Sequence, residues 1–506
     1  MAENDLNAGS GRDHLLDASI FVKRVGGILV GRYVPSIATA LSHFWFSRPT
    51  IHPIHSGHPL ALAWNEGNLA TDLESILDED HIRFTLLCPF TVRDVCLIDQ
   101  ADPATIDALV KVVDVLRAYS LHQSVCVELT EGVMSPHNLT TNHEPTIKYG
   151  LGPSFEESFS SASCAGASIG GSGSDGTLGA YLKLDITRIN EGILKTETKI
   201  LALSAHHVVS PDRDDAIDGS RVCLDVHQPA LTKQSAWVER LKRNMQRLQQ
   251  RIESPTTPER TAMLVAEFND VSALLGKAES FSTHFGKVFC TSGLTVSSIL
   301  TLGRIAHLEW ALIEVDASRL GDDSIPITNR PAPHVLDELA RVIKRHDYVE
   351  AARSEDERVF KIGAASATTI GFCNGTCALV RTYGEVEYHV IANLILPDVG
   401  FSAFSAHGDS GAVIRAFPDE GEHKAIGLLY SGFKNETPSP SDVVPPPATL
   451  QAMSDVRFHH SPEVDLRGMT LYTPMDHIME SMRAGLMSML EADGAEVVHL
   501  HLELLD

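Results

Sequence analysis

Positive charge is scarce in this chain. Its 41 lysines and arginines face 66 aspartates and glutamates, a formal net charge of −25 at pH 7. That deficit argues against a nucleic-acid partner, whose phosphates are held by basic patches, and against an anionic membrane surface. It is compatible with partners of basic surface, and equally with an acidic protein that is simply soluble. Long apolar runs are missing too: none reaches the ~18 residues of a membrane span. The start, Met1-Ala2-Glu3-Asn4-Asp5, is polar and acidic, and no basic-then-apolar signal segment follows. Ile28-Leu29-Val30 is too short for either role. The expectation is an intracellular, cytoplasmic protein.

Cysteine is thinly spread, 8 in 506 residues. Without a signal segment Cys88, Cys96, Cys126, Cys164, Cys223, Cys290, Cys373 and Cys377 are expected to be reduced. Cys373 and Cys377 have the spacing of half a zinc site, but no second pair accompanies them, so they read as strand-turn cysteines. His52, His55 and His58 recur every third residue, yet Pro53 and Pro59 oppose a helix that would align them. His499 and His501 alternate in an apolar run and read as the solvated face of a strand. No metal and no cofactor is expected. Gly170 to Gly176 lacks the helix-opening context of a phosphate cradle and reads as a loop. There is no internal repeat.

What the chain does carry is Gly408-Asp409-Ser410-Gly411, set in Ala406-His407-Gly408-Asp409-Ser410-Gly411-Ala412-Val413-Ile414. A serine between two glycines, with an apolar strand leaving it, reads either as a tight turn or as a nucleophile turn. A serine nucleophile needs a base, and the base an orienting acid. Upstream, Ile200-Leu201-Ala202-Leu203-Ser204-Ala205-His206-His207-Val208-Val209 runs an apolar strand into a turn with two histidines. Between them lies Leu308-Glu309-Trp310-Ala311-Leu312-Ile313-Glu314-Val315-Asp316, read as a strand that begins with a carboxylate. His, acid, Ser is one of the known chain orders of the catalytic triad.

These three segments together resemble the trypsin-like (chymotrypsin-fold) serine proteases, in the non-secreted form found in fungi and bacteria. The resemblance covers roughly residues 160–480 and is specific in those segments. It implies a mainly β protein with a chymotrypsin-like double β-barrel and a site in the cleft between barrels. It assigns the general base to His207, the orienting acid to Glu309 and the nucleophile to Ser410, with the oxyanion-hole N–H groups on Gly408 and Ser410. It places Phe404 at the base of the primary substrate pocket; an uncharged residue there disfavours a Lys or Arg preference. Tyr430, Ser431 and Gly432, ending Ala425-Ile426-Gly427-Leu428-Leu429-Tyr430-Ser431-Gly432, pair with the substrate backbone. Two positions depart from the pattern. The acid is Glu rather than Asp, with Asp316 as the alternative, and His206 stands beside His207. Asp409, which in secreted relatives pairs with an N-terminus freed by cleavage, has no activation site before residue 165 to supply one.

Outside the resemblance, residues 1–150 read as an α/β domain of unassigned role. Leu69 to Leu77 and Thr105 to Tyr119 have helical spacing, and Ile82 to Cys88 and Ser124 to Leu129 read as strands. Residues 234–277 read as an inserted helical hairpin, on Trp237, Leu241, Met245 and Leu248 before Pro255 and Pro258. Residues 434–465, with Pro445-Pro446-Pro447, read as a loop, and 481–506 as a C-terminal extension. The expected activity is that of a serine-type endopeptidase acting on protein or peptide substrates through an acyl-enzyme. The alternatives are an inactive protease fold used for binding and an esterase with the same triad.

Overall fold

The computed structural model describes residues 18–25, 28–35, 50–79, 86–89, 91–93, 111–112, 114–116, 118–119, 127–129, 133–136, 159–160, 163–190, 193–212, 215–218, 222–254, 257–299, 304–321, 329, 335, 358–382, 388–398, 403–417, 423–434, 469–492 and 497–505. The loop expected at 434–465 lies almost wholly outside them. The protein mixes helices and strands and contains a six-stranded closed antiparallel β-barrel with further sheets. Its contacts divide it into two units, each discontinuous in sequence. One comprises Met1–Met134, Cys373–Leu396 and Phe433–Arg467; the other comprises Ser135–Phe372, Pro397–Gly432 and Gly468–Asp506.

In the first unit, a hairpin of strands Ala18–Val25 and Ile28–Pro35 takes Val127–Leu129 as a third strand. Helices Pro59–Asn65 and Leu69–Glu79 bury Leu60, Trp64, Leu69 and Leu73 against Val112 and Leu116. The spaced histidines serve local turns: His55 Nδ1 accepts from the Gly57 amide at 3.0 Å, and His58 Nδ1 caps the first helix through the Leu60 amide at 3.1 Å. Among the described residues Cys373 and Cys377 form no disulfide, and Cys377 lends its carbonyl to the Trp64 indole at 2.8 Å.

The second unit carries the site. Its strands are β1 (Ala180–Asn190), β2 (Ile193–Ser204), β3 (Asp225–His227), β4 (His284–Thr291), β5 (Thr295–Ile299), β6 (Arg304–Leu308) and β7 (Ala311–Val315). They continue as β8 (Arg358–Gly363), β9 (Ala367–Cys373), β10 (Val413–Ala416), β11 (Ala425–Lys434), β12 (Thr470–Pro474) and β13 (Val497–Leu504). Its helices are α1 (His206–Val209), α2 (Leu231–Glu253), α3 (Pro258–Ser280) and α4 (Met475–Ala492).

A six-stranded sheet has the order β3-β4-β7-β2-β1-β13. Period-two alternation divides its side chains between two cores. Leu182, Leu201, Leu203 and Leu312 pack on Trp310 and α4, while Tyr181, Ala202, Ala311 and Ile313 pack with Ala205, Val208 and Phe285 on the other side. Helix α4 forms because Met475, Ile478, Met482, Leu486 and Leu490 recur at three- and four-residue spacing and are all buried. Residues 481–506, expected as an extension, are thus integral: α4 covers the sheet and β13 pairs with β1 along Leu182–Arg188. His499 and His501 on β13 are exposed.

A second set of antiparallel pairings joins β9 to β8, β8 to β10, β10 to β11 and β11 to β12. The helical insertion is longer at both ends than its 234–277 expectation. Its helices α2 and α3 close over Leu241, Leu248, Leu264 and Val271, with Trp237, Met245 and Phe268 alongside. Thr257 caps α3 by accepting the Arg260 amide, with Pro258 at the first helical position. Among the described residues no helix is long and apolar enough to cross a membrane.

Candidate active site

Strand β2 delivers the histidines. Its last four residues are buried between β1 and β7, and past Ser204 the chain turns through extended Ala205 into α1. Val208 and Val209 enter the core with Ala205, which pins this single turn from inside. The two histidines then diverge. His206 is fully enclosed and its Nδ1 meets Thr291 Oγ1 at 2.9 Å. That oxygen also accepts the Ile217 amide at 3.0 Å. His207 instead directs Nδ1 and its own amide to Glu309 Oε1.

Glu309 lies not on a strand but in the two-residue link between β6 and β7. Its neighbour Trp310 anchors that link. The Trp310 amide donates to Ser292 Oγ at 2.8 Å and its indole N–H to Ser481 Oγ of α4 at 3.0 Å. With Trp310 committed to the helix side, the carboxylate faces the histidines. Oε1 takes His207, and Oε2 meets His307 Nε2 at 3.2 Å. Both His207 and Glu309 are 4 % exposed. The alternative acid, Asp316, sits at the far end of β7 and pairs with His284 Nδ1 at 2.7 Å.

The serine turn departs from β-geometry at both glycines, φ +92° at Gly408 and +88° at Gly411, a region that favours residues without a Cβ. The Asp409 amide donates to the Ala406 carbonyl at 3.0 Å, Ala412 N to Asp409 O at 3.0 Å and Gly411 N to Leu429 O at 2.8 Å. Among the described residues the N–H groups of Gly408 and Ser410 meet no acceptor. Both residues are buried. Ser410 is fully enclosed, and its Oγ donates to the Tyr430 carbonyl at 3.3 Å.

Close backbone approaches bring this turn to the histidine segment. A Cβ on Gly411 would stand 2.3 Å from Ser204 Oγ and 2.9 Å from the Ala205 amide. One on Gly176 would lie 2.3 Å from Val208 Cγ2 and 2.9 Å from the Ser410 carbonyl. Gly176 and Gly411 are therefore the spacers that let Ser410 and α1 share one place.

Asp409 fixes the turn from beneath. Lys361 of β8, fully enclosed like Asp409, reaches its Oδ2 at 2.9 Å. Ser366 Oγ donates to the same oxygen at 2.5 Å and the Ala406 amide donates to it at 2.8 Å, while the Ala365 and Ser366 amides donate to Oδ1 at 2.9 and 3.1 Å. Burial alone would raise the Asp409 carboxyl; the Lys361 charge and the Ser366 bonds outweigh it and hold it below the usual carboxylate range. Burial lowers the Lys361 ammonium from its ordinary value against the pull of Asp409.

Of the expected pocket residues, Phe404 is fully buried, its carbonyl accepting Thr369 Oγ1 at 2.5 Å and its ring beneath the Lys361 ammonium at 5.7 Å. Tyr430, Ser431 and Gly432 lie on β11 beside β12. The register slips between Leu429 and Ser431, so Tyr430 is the extra residue of a bulge. That bulge turns its carbonyl to Ser410 and lays its ring on His307, 4.8 Å between centroids. Burial pushes the Tyr430 phenol far up, and among the described residues its hydroxyl has no partner.

Two neighbours of these residues escaped sequence reasoning. His307 stands two residues before Glu309 at the end of a short strand, and Lys361 is one polar residue in the apolar run Val359-Phe360-Lys361-Ile362. A lysine inside a run buried on both faces is a signal that demands a buried acid, though not which one. Among the described residues no group of histidines, cysteines and carboxylates has the arrangement of a metal site. No protein-family model matches the chain, and no curated protein matches it.

Proposed function

We propose that this chain is a serine endopeptidase built on a chymotrypsin-like double β-barrel, with His207, Glu309 and Ser410 as its triad. The observation that carries the reading is the convergence of three distant segments: a buried His–carboxylate pair against a glycine-flanked serine turn with two unused N–H donors. Glu309 on Nδ1 and the His207 amide fixes the imidazole tautomer, which leaves Nε2 as the basic nitrogen. The Ser410 hydroxyl attacks the substrate carbonyl carbon while its proton passes to His207 Nε2. The oxyanion that forms is met by the Gly408 and Ser410 N–H groups, donors worth on the order of a hundredfold or more in rate each. Collapse expels the amine, which takes the proton from His207, and leaves an ester on Ser410. Water, deprotonated by His207, then releases the acid and restores Ser410. Of the residues expected to pair with the substrate backbone, Tyr430 lies beside the serine, whereas Ser431 and Gly432 already pair with Leu471 and Thr470 of β12.

A second reading, an inactive protease fold used for binding, rests on one observation: the Ser410 hydroxyl is enclosed and donates to a carbonyl. Nucleophile geometry is often loose before substrate arrives, so the active reading is preferred. Incubation with a peptide library and matched alkyl esters tests it, with Ser410→Ala as control. Serine-dependent peptide cleavage supports an endopeptidase, ester cleavage alone an esterase, and neither overturns both enzymic readings.

A further inference from the structure

Glu309 is held from two sides. Its Oε1 takes His207, whereas its Oε2 meets His307 Nε2 at 3.2 Å. His307 is itself immobilised. Its carbonyl accepts Thr473 Oγ1 of β12 at 2.8 Å, and its ring lies on Tyr430. Tyr430 is the residue whose carbonyl takes the Ser410 hydroxyl. His307 therefore touches the acid directly and the serine through one intermediary.

We propose that His307 is a positioning residue for the triad acid, clamping the second oxygen of Glu309 so that the first stays on His207. The proposal rests on the hydrolytic reading of Ser410. A glutamate has one more rotatable bond than an aspartate, so its carboxylate has more positions to lose, and donors on Oε1 alone do not stop it pivoting. A second donor on Oε2, from a ring packed on Tyr430 and a backbone held by Thr473, does. The identity of the donor matters as well. Burial pushes the His307 imidazole down to about 4, so near pH 7 it is neutral and gives Glu309 a hydrogen bond without a counter-charge. A lysine or arginine in its place would neutralise the carboxylate that must stabilise the His207 imidazolium. A neutral clamp orients the acid and leaves its charge to His207.

Two variants of the full chain test this. His307→Phe keeps a ring against Tyr430 and removes the donor; His307→Gln removes the ring and restores an N–H at similar reach. The readout is the rate at which a fluorophosphonate probe labels Ser410, with thermal unfolding as the check on folding. The phenylalanine variant should label about tenfold to a hundredfold more slowly, the worth of one hydrogen bond to a charged group, and glutamine should recover most of that loss. If the phenylalanine variant does not fold, His307→Asn, whose amide falls short of Glu309, replaces it. Wild-type labelling rates in the donor-less variant, or a glutamine variant no faster than it, would overturn the clamp. An unlabelled wild type would instead overturn the hydrolytic reading beneath it.

Discussion

Replacing Lys361 with methionine takes away the ammonium beside Asp409 while keeping most of the side-chain volume in β8. The carboxylate retains its bonds from Ala365, Ser366 and Ala406 but loses its counter-charge in a fully enclosed place. Removing one partner of a buried pair costs about 3–5 kcal/mol. With those four bonds retained, the lower end, about 3 kcal/mol, is expected. At about 1.4 kcal/mol per pKa unit, this raises the Asp409 carboxyl by roughly two units. The loss must therefore depend on pH. In the parent protein the folded carboxyl titrates below its unfolded value, so its contribution is full above about pH 4 and disappears as pH falls through the folded value. In the variant the folded carboxyl titrates higher than in the parent, and protonation relieves it. Urea unfolding of both proteins from pH 4 to pH 8 should show the full deficit near neutrality and a shrinking one toward the acid end. Lys361→Met combined with Asp409→Asn should regain most of it. A deficit under about 0.5 kcal/mol at pH 7, typical of a surface substitution, would refute the reasoning, as would one that ignores pH and the second substitution.

Other consequences are simpler. Gly411→Ala places a Cβ 2.3 Å from Ser204 Oγ and 2.6 Å from the Thr177 carbonyl, at φ +88°. Serine labelling should be lost and stability should drop by at least ~1–3 kcal/mol, the usual strain of such backbone, read by thermal unfolding. Glu309→Gln keeps the shape of the acid but presents an amide to His207. On the proposed function kcat should fall by up to about ten-thousandfold, and an undiminished rate removes Glu309 from the triad.

Local pattern made part of this molecule legible. Leu201, Ala202 and Leu203 alternate between two cores, as the apolar run before the histidines implied. The stripe of Trp237, Leu241, Met245 and Leu248 packs one face of a helix. Other features were hidden because long-range contacts decide them. The run from Leu308 to Asp316 looks continuous, yet Trp310 is drawn into the α4 packing and breaks it at Glu309. Val497 to Leu504 reads as a strand, but that β1 is its partner is set only by the folded chain. Residues 373–396 join the N-terminal unit, a placement no local spacing encodes. In the site, each segment could be read alone as strand then turn. Which histidine meets the acid is set by Thr291 claiming His206, and His307 and Lys361, which reach Glu309 and Asp409, lie on strands whose approach only the folded chain defines.

The central claim is that Ser410 is a nucleophile activated by His207. Its most direct test is the mass of the intact protein after exposure to a fluorophosphonate, followed by mapping of the adduct. The account predicts a single adduct on Ser410, abolished in Ser410→Ala and at least a thousandfold slower in His207→Ala, as expected when a triad loses its base. A wild-type protein that takes no adduct, or takes one equally well without His207, contradicts it.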